Sequence, residues 1–214
     1  MKRNMPLAPA TQLPKGSTPA ERALALVRTA GVARPRDLAA VGIAPEYLHR
    51  LLQQGEVVRV GRGLYALADA DLGEHESLIA ACKAVPNGVI CLLSALRFHG
   101  LTTQAPFEVW MAVSRSSWAP GGGGVRMRLS WVSGPALTQG VEEHQVVGGT
   151  VRVYGVAKTV ADCFKFRSKV GLDVALEALR EARRETNVSM DDIWRHAVTW
   201  RVASAMRPYL EAMW

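Results

Sequence analysis

Five arginines between positions 34 and 62, with a tyrosine, a histidine and a glutamine among them, have the types and spacing to meet a polyanion. Arg34 and Arg36 open a short predicted helix. The partial positive charge of a helix start and two guanidiniums then point at backbone phosphate. Tyr47, His49, Arg50 and Gln53 fall on the outer side of the next predicted helix. A helix fits the major groove of duplex DNA, and these side chains would reach base edges or flanking phosphates. Arg59 lies near one end of a predicted hairpin and Arg62 at its tip, where a narrow minor groove concentrates negative potential. The alternatives are bland: solvated arginines, a Tyr47 packed on the hairpin, an idle His49.

Charge distribution agrees with the polyanion reading. The chain carries 26 Lys and Arg against 19 Asp and Glu, a formal net charge of +7. Residues 1–68 hold ten basic and four acidic residues, net +6, so the remaining two thirds carry only +1. A solubilising surface would give the same sum, and charge by itself does not separate the two.

Other chemistries lack their residues. Gly121 to Gly124 is not followed by Gly-Lys-Ser/Thr, so it is no phosphate loop. Cys82, Cys91 and Cys163 have neither Cys-x-x-Cys spacing nor a paired histidine, and read as buried free thiols in a reducing compartment. His75, His99, His144 and His196 are scattered. Asp191/Asp192 suits a helix N-terminus, Glu142/Glu143 is expected to flank a strand, and Glu74/Glu76 is a third carboxylate pair. Ser114, Ser116 and Ser117 have no nucleophile elbow around them. No enzyme, cofactor or metal is expected.

The elements that must position the arginines follow from local signals. Thr18, Pro19 and Glu21 spell a capped helix start, and Ala20, Ala23, Leu24, Val27 and Ala30 give it one apolar face before Gly31 stops it. A second helix is predicted over 34–41, with Leu38 and Val41 inward and Gly42 as breaker. A third is predicted over 45–54, with Leu48, Leu51 and Leu52 inward. Strands over 56–60 and 64–67 flank Gly61-Arg62-Gly63. Three helices and a hairpin are the plan of a winged helix-turn-helix; used for protein contact alone, the same plan need not bind DNA.

The 214 residues allow one large domain or two modest ones. The division expected is a mobile tail over 1–17, a winged helix over 18–70 and a mixed domain over 71–214. In that last part helices are predicted over 72–85, 94–99, 157–167, 171–185 and 191–206, with Pro208 kinking or restarting the chain. A strand at 89–91, strands over 107–113 and 125–132, and a hairpin about Gly148-Gly149 complete it. The Gly121–Gly124 stretch reads as a mobile loop. The fold class is therefore α+β: an N-terminal winged helix-turn-helix, then a mixed α/β C-terminal domain ending in helices. No run of 18 apolar residues and no secretory leader pattern is present, so a cytoplasmic protein without membrane partners is expected.

Two segments of the second part carry a family resemblance. Residues 92–102 read Leu-Leu-Ser-Ala-Leu-Arg-Phe-His-Gly-Leu-Thr, and residues 154–164 read Tyr-Gly-Val-Ala-Lys-Thr-Val-Ala-Asp-Cys-Phe. In that order, after a short basic winged helix, they resemble the AbiEi antitoxins over about residues 20–166. The resemblance implies a bacterial repressor that binds inverted repeats in its own promoter. It also implies a C-terminal domain that counters a nucleotidyltransferase-like toxin, in type IV systems where no stable complex need form. A solitary regulator, or an interaction module with vestigial DNA binding, is the alternative. Ser94, Arg97, His99, Lys158 and Asp162 are the motif residues. A structural role suits most of them: Ser94 as a helix cap, Leu96 and Phe98 in the core, Gly100 with positive φ, and Asp162 paired with Lys158, Lys165 or Arg97. A partner-facing role for Arg97, His99, Lys158 and Asp162 is the lesser reading.

Overall fold

The computed structural model describes residues 17–115 and 124–212. The tail expected over 1–17 lies outside these except for Ser17, as do Gly121 to Gly123 of the glycine loop, Met213 and Trp214.

Helix α1 (Pro19–Ala30) begins as its sequence dictates. The Thr18 hydroxyl accepts from the Glu21 amide, and the Glu21 carboxylate accepts from the Thr18 amide. Ala23 and Val27 are buried, and Gly31 ends the helix with φ +65. Helices α2 (Pro35–Ala39) and α3 (Glu46–Gln53) follow, with Leu38, Leu48 and Leu51 buried against α1. Strands β1 (Val57–Gly61) and β2 (Leu64–Leu67) pair antiparallel, with an irregularity between Arg59 and Gly61. The α-α-α-β-β order is the one expected from the sequence. One inward assignment fails: helix α2 stops at Ala39, so Val41 falls in the turn and is exposed. Leu52 is partly buried and packs against the same cluster.

Beyond a 3₁₀ turn at Gly73–His75, the chain forms α4 (Glu76–Ala84), β3 (Val89–Ile90), α5 (Leu92–Phe98), β4 (Val109–Ser114) and β5 (Met127–Val132). Then come α6 (Pro135–Thr138), β6 (Val141–Val146), β7 (Gly149–Tyr154), α7 (Val156–Lys165), α8 (Arg167–Val170), α9 (Leu172–Glu185), α10 (Met190–Thr199) and α11 (Ala203–Glu211). The five strands form one mixed sheet in the order β5-β4-β3-β7-β6. Pairs β4–β5 and β3–β7 are parallel, and β3–β4 and β6–β7 antiparallel.

Strand β4 shows why its sequence alternates so weakly. Val109, Met111 and Val113 pack with α4, whereas Trp110 and Ala112 pack with helices α5, α7, α9, α10 and α11. A strand covered on both faces reads as a continuous apolar run.

Several expectations are corrected. Ser94 is not a cap: extended Cys91 precedes α5, and the buried Ser94 hydroxyl instead accepts from the Trp110 amide at 2.9 Å. Phe107 lies outside β4, 82% exposed. Glu142 and Glu143 sit within β6 rather than beside it, because an edge strand tolerates charge. The helix expected over 191–206 is two helices, parted where Arg201 takes φ +55, and α11 runs through Pro208.

The apolar interior does not end at residue 70. Val32, Leu64 and Ala66 of the first part share a cluster with Ile79, Met111, Val151 and Val153. Gly31 lies against the β6–β7 turn so closely that a Cβ there would stand 1.7 Å from the Gly148 carbonyl oxygen. No side chain fits at this junction, and the orientation of the N-terminal module is set by packing rather than by a linker.

Candidate nucleic-acid interface

The recognition-helix candidates are well displayed. On α3, His49, Arg50 and Gln53 are exposed, while Tyr47 is half-buried against the module core. The Arg50 guanidinium lies 5.1 Å from the Tyr47 ring centroid, which orients it while leaving its donors outward. Leu48 and Leu51 anchor the opposite face, so the amphipathic pattern of the helix decides which side chains look out.

The hairpin holds its two arginines differently. Arg59 Nε donates to the Gly61 carbonyl at 3.1 Å, which ties that side chain back along the strand. Arg62, between Gly61 and Gly63 at the turn, is exposed. Gly124 approaches the other side of this turn: a Cβ on it would meet Gly61 Cα at 2.9 Å.

Arg34 is a correction. Its guanidinium is engaged within the protein, through Nη2 to Asp37 Oδ1 at 2.8 Å and through Nη1 to the Lys83 carbonyl oxygen at 2.9 Å. The backbone amide of Arg34 also donates to Asp37 at 2.9 Å. This side chain therefore latches α2 onto α4 instead of facing phosphate. Arg36, two residues on, is exposed. Lys83 lies near both arginines, and its burial together with their charges lowers its pKa, Asp37 opposing. No spacing rule links Arg34 to a carbonyl 49 residues away.

Burial alone would raise the Asp37 pKa, but the hydrogen bonds and charge of Arg34 outweigh it and hold the carboxyl below its ordinary value. Its contribution to stability is thus present above the ordinary carboxylate range and lost as pH falls through the lowered value. Asp37→Asn is expected to cost about 1–3 kcal/mol near neutral pH. Urea unfolding of both proteins at about pH 7 and about pH 3 checks it, the difference between them narrowing in acid.

The motif residues of the second part go to unlike places. Arg97 is exposed. The half-buried His99 ring meets the Tyr154 carbonyl oxygen through Nε2 at 2.7 Å, and burial lowers its pKa. It stands in a ring cluster with Phe98 and His144, at centroid distances of 5.3 and 6.0 Å.

Lys158 and Asp162 are sealed inside, 1% and 2% exposed, and bonded to each other, which removes them from any partner-facing role. Asp162 also accepts from the Trp200 indole N–H, and the Lys158 ammonium lies 4.1 Å from the Tyr154 ring centroid. Burial pushes the Asp162 pKa up to about 6 against the pull of these donors. Lys158–Asp162 is legible as an i, i+4 pair. Trp200, 38 residues further along, is not.

Burial also raises the thiol of Cys82 to about 11 and those of Cys91 and Cys163 well above their usual range, so none is a ready nucleophile. Among the described residues no group of His, Cys, Asp and Glu has the arrangement to hold a metal ion. No helix among them is long and apolar enough to cross a membrane.

Compared with known proteins, residues 21–68 match the family model described as transcriptional regulator, AbiEi antitoxin. This span runs from the first turn of α1 to the end of the hairpin and contains every arginine of the interface. The segments at 92–102 and 154–164 lie outside it. No curated protein matches the chain significantly.

Proposed function

We propose, starting from the match of residues 21–68 to AbiEi antitoxin regulators, that residues 18–70 are a winged helix-turn-helix that binds duplex DNA. In this reading α3 enters the major groove and presents Arg50, Gln53 and His49 to base edges, with Tyr47 supporting Arg50. Arg62 reaches the adjacent minor groove from the turn of the hairpin, and Arg36 and Arg59 meet backbone phosphate. Arg34 has no DNA contact. The observation that carries the reading is the coincidence of the matched span with exposed Arg36, Arg50 and Arg62 in a module of net positive charge.

The biological role is that of a cytoplasmic bacterial repressor and antitoxin. It binds inverted repeats in its own promoter as two copies, and residues 71–214 counter a nucleotidyltransferase-like toxin without requiring a stable complex. The protein performs no catalysis. Because packing fixes the module on the second part, DNA engagement and that second part move as one body.

The test is binding of the purified protein to the DNA upstream of its own gene, followed across salt. Counterion release makes affinity fall linearly on a log–log plot, by about 0.9 per neutralised phosphate. Absence of salt-sensitive binding at micromolar protein overturns the reading.

A further inference from the structure

The first third does not hold all the unneutralised positive charge. At the end of α7 and through α8 the chain reads Lys165-Phe166-Arg167-Ser168-Lys169, and Arg201 follows Trp200 just beyond α10. Lys165, Arg167, Lys169 and Arg201 are all exposed. Among the described residues no ion pair reaches any of them, and one guanidinium nitrogen of Arg167, Nη1, donates to the Phe164 carbonyl oxygen at 2.9 Å. The aromatic rings bring two of these cations, Lys165 and Lys169, together. Phe166 and Trp200 meet edge to face at 5.6 Å between centroids. The Lys169 ammonium lies 5.4 Å from the Phe166 ring and that of Lys165 lies 5.8 Å from the Trp200 ring. Both rings are partly exposed.

The nearest carboxylate on α7 supplies no compensation. Asp162 is buried and bonded to Lys158 and to the Trp200 indole on the inner side. Basic residues do complement the carbonyl end of a helix, which accounts for Lys165. It does not account for exposed Arg167 and Arg201, which adjoin the two rings in sequence. The helices that carry the patch pack on the sheet face opposite the one shared with the N-terminal module, so this is a separate surface.

We propose that Lys165, Phe166, Arg167, Lys169, Trp200 and Arg201 form a second nucleic-acid site, whose ligand is a single-stranded polynucleotide. The cations track successive phosphates, and the partly open rings between them offer apolar faces and edges on which an unstacked base lies. A duplex keeps its base faces stacked and leaves those rings unused; a single strand uses both features.

The test is fluorescence anisotropy of the full-length protein with labelled single-stranded RNA and DNA of the same sequence, about 12 nucleotides long, a length suited to one such platform. Lys165→Glu, Lys169→Glu and Arg201→Glu together are expected to weaken single-strand binding more than about tenfold and to flatten its log–log salt slope by about 2. Phe166→Leu keeps apolar volume and removes the aromatic face, and is expected to lose about fivefold with the salt slope unchanged. Circular dichroism confirms that each variant is folded. Retention of single-strand binding by the triple variant overturns the proposal. So does equal binding of a polyglutamate peptide, or of a blunt duplex whose binding the triple variant also loses, because either removes the need for unstacked bases.

Discussion

Arg50→Ala combined with Arg62→Ala is expected to weaken binding to upstream duplex DNA about a hundredfold, taking about 1–3 kcal/mol for each well-placed arginine. Both side chains are exposed, and no ion pair reaches either among the described residues. Their removal therefore leaves the packing of Leu48, Leu51 and Leu64 intact, and the urea midpoint should scarcely move. If each arginine neutralises a phosphate, the log–log salt slope falls by about 2; if Arg50 reads a base, affinity falls with a smaller change in slope. Arg34→Ala is the control. Its guanidinium bonds Asp37 and the Lys83 carbonyl, so its loss should lower stability and leave the salt slope alone. A double variant that binds like wild type, or an Arg34→Ala protein that loses salt dependence, places the interface elsewhere.

The second large effect concerns the buried pair in α7. Lys158→Ala is expected to cost about 3–5 kcal/mol, because it strands the Asp162 carboxylate in the core with only the Trp200 indole N–H as donor. The sign of the pH dependence follows from the raised pKa of Asp162. Its folded value, about 6, stands above the ordinary aspartate value. The stabilisation linked to its proton is complete below the ordinary value and fades as pH rises through about 6. Without Lys158 the folded value climbs further, so the variant should recover part of its stability in acid. Urea unfolding at about pH 5 and about pH 8 measures this. Lys158→Met with Asp162→Leu should regain most of the loss, since well-packed apolar replacements of a buried pair are often neutral or stabilising. A single variant that costs under about 1 kcal/mol, or a double variant as unstable as the single, contradicts an ion pair held by burial.

Local signals carried a large share of the fold. Thr18, Pro19, Glu21 and Gly31 define both ends of α1 because capping and positive φ act within a few residues. The Gly61-Arg62-Gly63 turn and the Gly148-Gly149 turn were legible for the same reason. The apolar spacing of α3 also dictated which of its side chains face solvent, hence the candidacy of His49, Arg50 and Gln53. Where an element depends on distant partners, the pattern misled. Ser94 reads as a cap but accepts from Trp110, and Phe107 reads as strand but lies outside it. The break at Arg201 has no glycine or proline beside it to announce it.

The amino-acid sequence by itself determined the α-helical triplet with its hairpin, the excess of positive charge in residues 1–68, and the residues on the outer side of α3. The charge is composition, and the elements and the outward face rest on interactions that span one or two turns of chain. Only the tertiary structure decided that Arg34 latches the module to α4, that Lys158 and Asp162 are sealed beneath Trp200, and that Phe166 and Trp200 draw Lys165 and Lys169 together on the far side of the sheet. Those contacts join residues tens of positions apart, and whether a charged side chain meets solvent or a carbonyl depends on which surface folds over it, a quantity that no local spacing contains.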